Sequence, residues 1–153
     1  MEFKKGSKNK LRLLLKFLIY SLIYGLFFIN IIDINIRSFF WYHWVLIFLE
    51  FLPFLVICLI LGWKNWDLFL ALGLLSSLMN DLFYGPIANY FFGGSYNLSE
   101  WFLQQLGFRE NRVIYHFQGG FFTFPVTSWL MGLSIYLRIV LIFFLLRNWL
   151  SKE

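Results

Sequence analysis

The sequence predicts an all-α, polytopic membrane protein: a bundle of four transmembrane helices with a short interfacial helix between the third and fourth. Composition is the first ground. Of 153 residues, 60% are apolar, 24% are aromatic and only 14% are charged, with a mean hydropathy of +0.70. An ordinary soluble domain is about half apolar and about a quarter charged. A soluble globule of 18.4 kDa would have to expose the surplus, which soluble monomers rarely do. A soluble enzyme, a disordered tail and a disulfide-stapled secreted domain are therefore excluded. The second ground is segment length, because crossing a bilayer as a helix takes about twenty mostly apolar residues and four stretches supply them.

The first span covers residues 13–32 and is interrupted only by Lys16, close enough to the end to snorkel. Its apolar run is too long for a signal-peptide core and no small-residue cleavage site follows, so it reads as a retained helix. The second covers 41–61, the third 68–92 and the fourth 125–146. Short connections at 33–40 and 62–67 force neighbouring helices to run antiparallel. The third connection, 93–124, exceeds the usual length of a structureless loop. Within it, Asn97 followed by Glu100 resembles a capping box, and Leu98, Trp101, Phe102 and Leu106 recur at helical spacing before Gly107. An amphipathic helix over 98–106 follows, lying on the outer face or capping the bundle. Residues 112–118 are β-prone, and Gly93-Gly94 and Gly119-Gly120 bracket the insertion like hinges.

Charge sets the orientation. Lys4, Lys5, Lys8, Lys10, Arg12, Lys16, Lys64, Arg147 and Lys152 fall on one side, against Arg37, Arg109 and Arg112 on the other. Nine against three places both termini in the cytoplasm. Trp41, Trp44, Trp63, Trp66 and Trp149 lie near span ends, as an aromatic belt requires. The net charge of +5 is concentrated at the N-terminus, which suits an anionic leaflet and not nucleic acid. The lone Cys58 sits in an apolar run and reads as a buried, inert thiol.

Three spans carry a charge near mid-depth: Glu50, Asp81 and Arg138. Intramembrane charges are expensive, so their coincidence in depth is the most informative feature of the chain. Helical spacing gives each one polar company. Ser77, Asp81 and Tyr84 share a face with Asn80 beside it; Thr127, Ser134 and Arg138 align; His43 stands two turns before Glu50. The first helix offers Tyr20, Ser21 and Tyr24 to the same centre. Glu50, Asn80, Asp81, Tyr84, Ser134 and Arg138 are therefore the candidate cluster, with Arg138 facing Asp81 in preference to Glu50.

Three functions fit such a cluster. It can support helix assembly as a buried ion-pair network, or bind a lipophilic or ionic ligand. Alternatively, Glu50 or Asp81 can act as acid or base in an enzyme working on a lipid. An accessory subunit of a larger membrane complex is a further class. The expected partners are the lipid bilayer, a lipid or lipophilic ligand and other membrane subunits. No cofactor is expected, since no phosphate-binding or dinucleotide motif is present, and no serine has the context of a nucleophile. For a metal, His43 and His116 are the weak candidates, without a ligand-spaced pair. Glu50 shortly before Pro53-Phe54, with Trp63 and Trp66 in the following turn, resembles the sterol-isomerase and sigma-2-receptor group over that one helix. The resemblance implies a small lipophilic ligand.

Overall fold

A computed structural model of the chain describes residues 3–37, 41–118 and 121–152. It is mostly helical. Four helical stretches are long and apolar enough to cross a membrane: Asn9–Ile36, Tyr42–Leu61, Trp63–Phe92 and Ser128–Ser151. The first is built from α1 (Phe3–Ile23), a π-helical turn (Tyr24–Ile29) and α2 (Asn30–Ile36). Then come α3 (Tyr42–Leu61), a 3₁₀ turn (Trp63–Asn65), α4 (Trp66–Phe92) and α5 (Leu98–Gln105). Strands β1 (Val113–Gln118) and β2 (Thr123–Thr127) lead into α6 (Ser128–Ser151).

Helix α4 is the central element, with α1, α3 and α6 packed around it. Glycine sets the closest approach. A Cβ on Gly25 would lie 2.3 Å from the Ser76 carbonyl oxygen, so only glycine lets the π turn meet α4 backbone to backbone. The wide turn is held by Asn30, whose Nδ2 donates to the carbonyls of Gly25 and Leu26 at 3.0 and 2.9 Å. A π turn accommodates one more residue than an α turn, which resets the helix by about 100°. Asp33 thereby comes to the α4 side, where Ser21 already sits with its hydroxyl on the Leu72 carbonyl at 2.6 Å.

Two prolines lie inside helices, Pro53 in α3 and Pro86 in α4. Each lacks an N–H and orphans the carbonyl four residues earlier. Both carbonyls find a donor on another element. Tyr24 Oη donates to Leu49 O at 2.8 Å, and Trp101 Nε1 donates to Leu82 O at 2.9 Å.

The polar helix over the long connection forms as its cap foretells. Asn97 Oδ1 accepts from the Glu100 backbone N–H at 3.3 Å, and Gly107 ends the segment at φ +76°. The α5 helix packs on the end of α4, with Trp101 over Gly85, and on α6 at Gly132. The Glu100 carboxylate pairs with Arg109.

Four expectations need correction. The first helix does not stop at residue 32 but continues through Asp33 to Ile36, because Arg37 and Asn80 compensate the acid. The connection 33–40 is correspondingly shorter, and residues 38–40 lie outside the described residues. The fourth helix starts at Ser128 and not at Pro125. Pro125–Thr127 belong to an antiparallel hairpin, with Pro125 opposite His116 and Val126 opposite Tyr115, so the fold includes a small sheet. Thr127 Oγ1 accepts from Leu130 N–H at 3.4 Å as the helix cap and does not join Ser134 and Arg138 in lining the polar centre. Trp149 is no belt residue: it is buried with Leu14, Phe54, Leu68 and Leu72, and its Nε1 donates to Asn65 Oδ1 at 2.8 Å. Gly119-Gly120 lie outside the described residues; Gly93 caps α4 in the left-handed region at φ +67°.

Candidate functional site

The Asp67 end of the molecule, where α4 begins and α6 ends, is closed. Asp67 is fully buried and its Oδ2 receives Lys152 Nζ at 2.7 Å and Asn148 Nδ2 at 2.8 Å. Above it Leu14, Phe54, Leu68, Leu72 and Trp149 form a close-packed core. The void beside Phe54, Cys58 and Leu72 is too small for a water molecule.

The hairpin end is open. Helices α3 and α6 both pack on α4 yet barely touch one another, and β1 and β2 bridge them from above. The space left between them is a cavity of about 370 Å³. Leu46, Ile47, Phe117, Phe124, Val126 and Leu130 make its apolar wall, and Glu50, Ser77, Asp81 and Arg138 its polar end. Ile47, Phe124 and Leu130 are also exposed on the outer surface of the protein, so this cavity opens sideways between α3 and α6. A second, smaller cavity of about 130 Å³ adjoins it at His43, Asn80, Asp81 and Tyr115. Asp33, Arg37, Tyr42, Tyr84, Tyr96 and Gln105 supply the rest of its polar lining, and its mouth lies beside the exposed Arg37 and Tyr96.

Arg138 organises the polar end. Its Nη2 is 2.5 Å from Asp81 Oδ2, its Nη1 donates to Ser77 Oγ at 3.0 Å, and its Nε donates to the Ser134 carbonyl at 3.3 Å. Ser134 thus contributes backbone here, while its side chain is exposed at the cavity rim. Glu50 is only 4% exposed and lines the cavity together with Ser77. Among the described residues no cation lies within ion-pair distance of Glu50, whereas Arg138 is committed to Asp81 and Arg37 to Asp33.

Asn80 joins the two cavities. Its Nδ2 donates to Asp33 Oδ2 at 3.3 Å, and Asp33 Oδ1 is 3.5 Å from Arg37 Nε. The Arg37 guanidinium lies 3.9 Å above the Tyr84 ring, which places Tyr84 in the smaller cavity and away from Arg138. Burial works against the Arg37 charge, but Asp33 and the surrounding tyrosines outweigh it and hold its pKa above the ordinary value. Burial also pushes the Tyr115 phenol well above its ordinary range, so it stays protonated at the cavity junction.

His43 lines both cavities, with its ring 5.5 Å from Tyr115 and 4.5 Å from Phe117. Alternation along β1 turns His116 to the opposite side, where it is exposed. The two imidazoles do not converge, and among the described residues no group of three His, Cys, Asp or Glu side chains is arranged to hold a metal. Tyr20, Ser21 and Tyr24 do not line either cavity. Ser21 and Tyr24 are spent on backbone carbonyls of α4 and α3, and Tyr20 packs on Tyr24 and Phe54. Sequence reasoning missed Arg37 and Tyr115 and placed Asp33 in a connection, as a carboxylate that could join the histidines. The i,i+4 spacing of Asp33 and Arg37 was the available signal for one further helical turn. Comparison with protein-family models, curated proteins and solved structures finds no match for this chain.

Proposed function

We propose that this chain is an integral membrane protein that binds a small lipophilic ligand in the cavity between α3, α4 and α6. The observation that carries the reading is the cavity itself: it joins an apolar wall to Glu50, Asp81 and Arg138 and opens sideways between α3 and α6. A cluster serving assembly alone would be close-packed and dry, as the Asp67 end is. At about 370 Å³ the space is near the lower end of small-molecule sites, which suits a compact ligand with few polar groups. Both termini are cytoplasmic in this reading, on the strength of the nine-to-three distribution of cations. Helix α5 then lies at the outer surface as an interfacial roof on a four-helix bundle.

A second reading has specific support. The smaller, more polar cavity abuts the lipid-side cavity at Asn80 and Asp81, so water and a lipid could meet beside two carboxylates. That arrangement suits an enzyme acting on a lipid, with Glu50 or Asp81 as acid or base.

Native mass spectrometry of the purified protein, with extraction of bound small molecules, tests the proposal. A co-purifying lipophilic molecule is expected, and Leu130→Trp, which fills the cavity, should lose it. Leu141→Trp, on the exposed face of α6 outside the cavity, should retain it. Equal retention by both variants would overturn the site assignment. A co-purifying membrane subunit in place of a small molecule would favour the accessory class, and a chemically altered ligand the enzyme.

A further inference from the structure

We infer that Glu50 is a proton-binding site in exchange with water at the hairpin end of the molecule and closed to water at the Asp67 end. The inference goes beyond ligand binding and does not depend on it.

Charge balance is the first argument. The two cavities are lined by three carboxylates, Asp33, Glu50 and Asp81, and by two guanidiniums, Arg37 and Arg138. The guanidiniums are paired with Asp33 and Asp81. With the buried His43 counted as a neutral imidazole, one negative charge is left over in a low-dielectric interior, where an uncompensated ion is disfavoured. A proton on Glu50 removes it.

The neighbours of Glu50 pull both ways: Asp81 and Asp33 favour the proton, whereas Ser77 and Arg138 oppose it, Arg138 less than a free guanidinium would because it is committed to Asp81. From α4 Glu50 faces Ser77, Asn80 and Asp81; from α6, Arg138; from β1, Tyr115; from its own helix, His43. Tyr24 of the π turn and Asp33 of α2 lie within electrostatic range. Ser77 accepts from Arg138 through its oxygen, which leaves its hydroxyl hydrogen free to donate.

Access is the second argument, and it is one-sided. Along the buried stripe of α3, His43 and Leu46 precede Glu50 and border open space, whereas Phe54 and Cys58 follow it and are fully buried. Toward the hairpin end, polar side chains continue from Asp81 through Asn80 to Asp33 and Arg37 at the mouth of the smaller cavity. Toward Asp67 the path meets the packed core and a void too small for water. The lateral opening between α3 and α6 meets lipid, which supplies no protons. Glu50 therefore ends a half-channel and cannot conduct across the molecule.

Infrared spectroscopy of the full-length protein in sealed proteoliposomes tests this. The pH is set independently inside and outside, and an impermeant maleimide on Ser99→Cys reports which end faces outward. The carboxylic-acid carbonyl band of Glu50 is assigned by its loss in Glu50→Gln. Should that variant fold poorly, the isotope shift in protein grown with side-chain-carboxyl-labelled glutamate assigns it, in a background where Glu2, Glu100, Glu110 and Glu153 are replaced by Gln so that Glu50 is the one labelled side-chain acid. Raising the pH on the hairpin side from about 5 to about 10 should weaken the band about ten-fold or more, since buried glutamates titrate no higher than about pH 8–9 and the final pH lies about a unit beyond. The same change on the Asp67 side should leave the band as it was. A response to the Asp67 side, an equal response to both sides, or no response to either would overturn the inference.

Discussion

The indole N–H of Trp101 stands 2.9 Å from the carbonyl oxygen of Leu82, the acceptor that Pro86 leaves without its own helical donor. A side chain on α5 thus completes the hydrogen bonding of α4, a membrane-length helix. The unpaired carbonyl would cost about 1–3 kcal/mol in an apolar setting. Trp101→Phe should destabilise the protein by an amount of that order. Pro86→Ala should then rescue part of the loss, since the substituted residue regains a backbone N–H for the Leu82 carbonyl. Thermal unfolding in detergent of the two single variants and the double variant reads the coupling, and strict additivity would sink the idea.

Arg138 and Asp81 are separated by 2.5 Å, and each is partly shielded from its surroundings. Removing one partner strands the other, at about 3–5 kcal/mol for a buried pair, somewhat less where a cavity admits water. Arg138→Leu and Asp81→Leu should each lower the unfolding temperature strongly, and the double variant should recover part of the loss. Two single losses that simply sum would show that the ion pair contributes nothing.

Topology is open to labelling. The one native cysteine, Cys58, is buried and gives little background. In intact cells an impermeant maleimide should react with Ser99→Cys on α5 and leave Lys64→Cys untouched. The reverse pattern would place the hairpin end in the cytoplasm.

Close packing at glycine gives a sharper expectation. Gly25→Ala drives a methyl against the Ser76 backbone, and Gly132→Ala drives one against Leu106 and Gly107. Neither neighbour is a flexible side-chain tip, so each substitution should cost about 1–3 kcal/mol through displaced helices. Gly94→Ala, where the nearest backbone is 3.0 Å away at an exposed turn, should cost less. Chemical denaturation of the three variants in matched detergent would rank them, and an unperturbed Gly25→Ala would refute the close contact.

Four long apolar helices and the cap of α5 are legible in the sequence because apolar run length and the Asn97 cap are local signals. Glu50, Asp81 and Arg138 stand out for the same reason, as charges inside apolar runs. What escapes is long-range compensation. Asp33 reads as a helix stop until Asn80, 47 positions away, is seen beside it. Pro125 reads as part of an apolar span until its pairing with His116 is known. Tyr24 offers no local sign that its hydroxyl belongs to Leu49 and not to a polar centre. The cavity is least legible of all, since it exists because α3 and α6 fail to meet.

The π turn at Tyr24–Ile29 stores one residue more than the winding needs. Deleting the outward-facing Phe27 would let the turn relax to an ordinary α turn, and the phase of everything downstream would be preserved. Asp33 and Arg37 would still face Asn80 and Tyr84. The same deletion a few positions earlier, in the regular part of α1, would swing both charges roughly a quarter turn toward lipid. Along this span, then, tolerance to a change in length is concentrated in the six residues of the π turn, and the charge pattern elsewhere is locked to residue count.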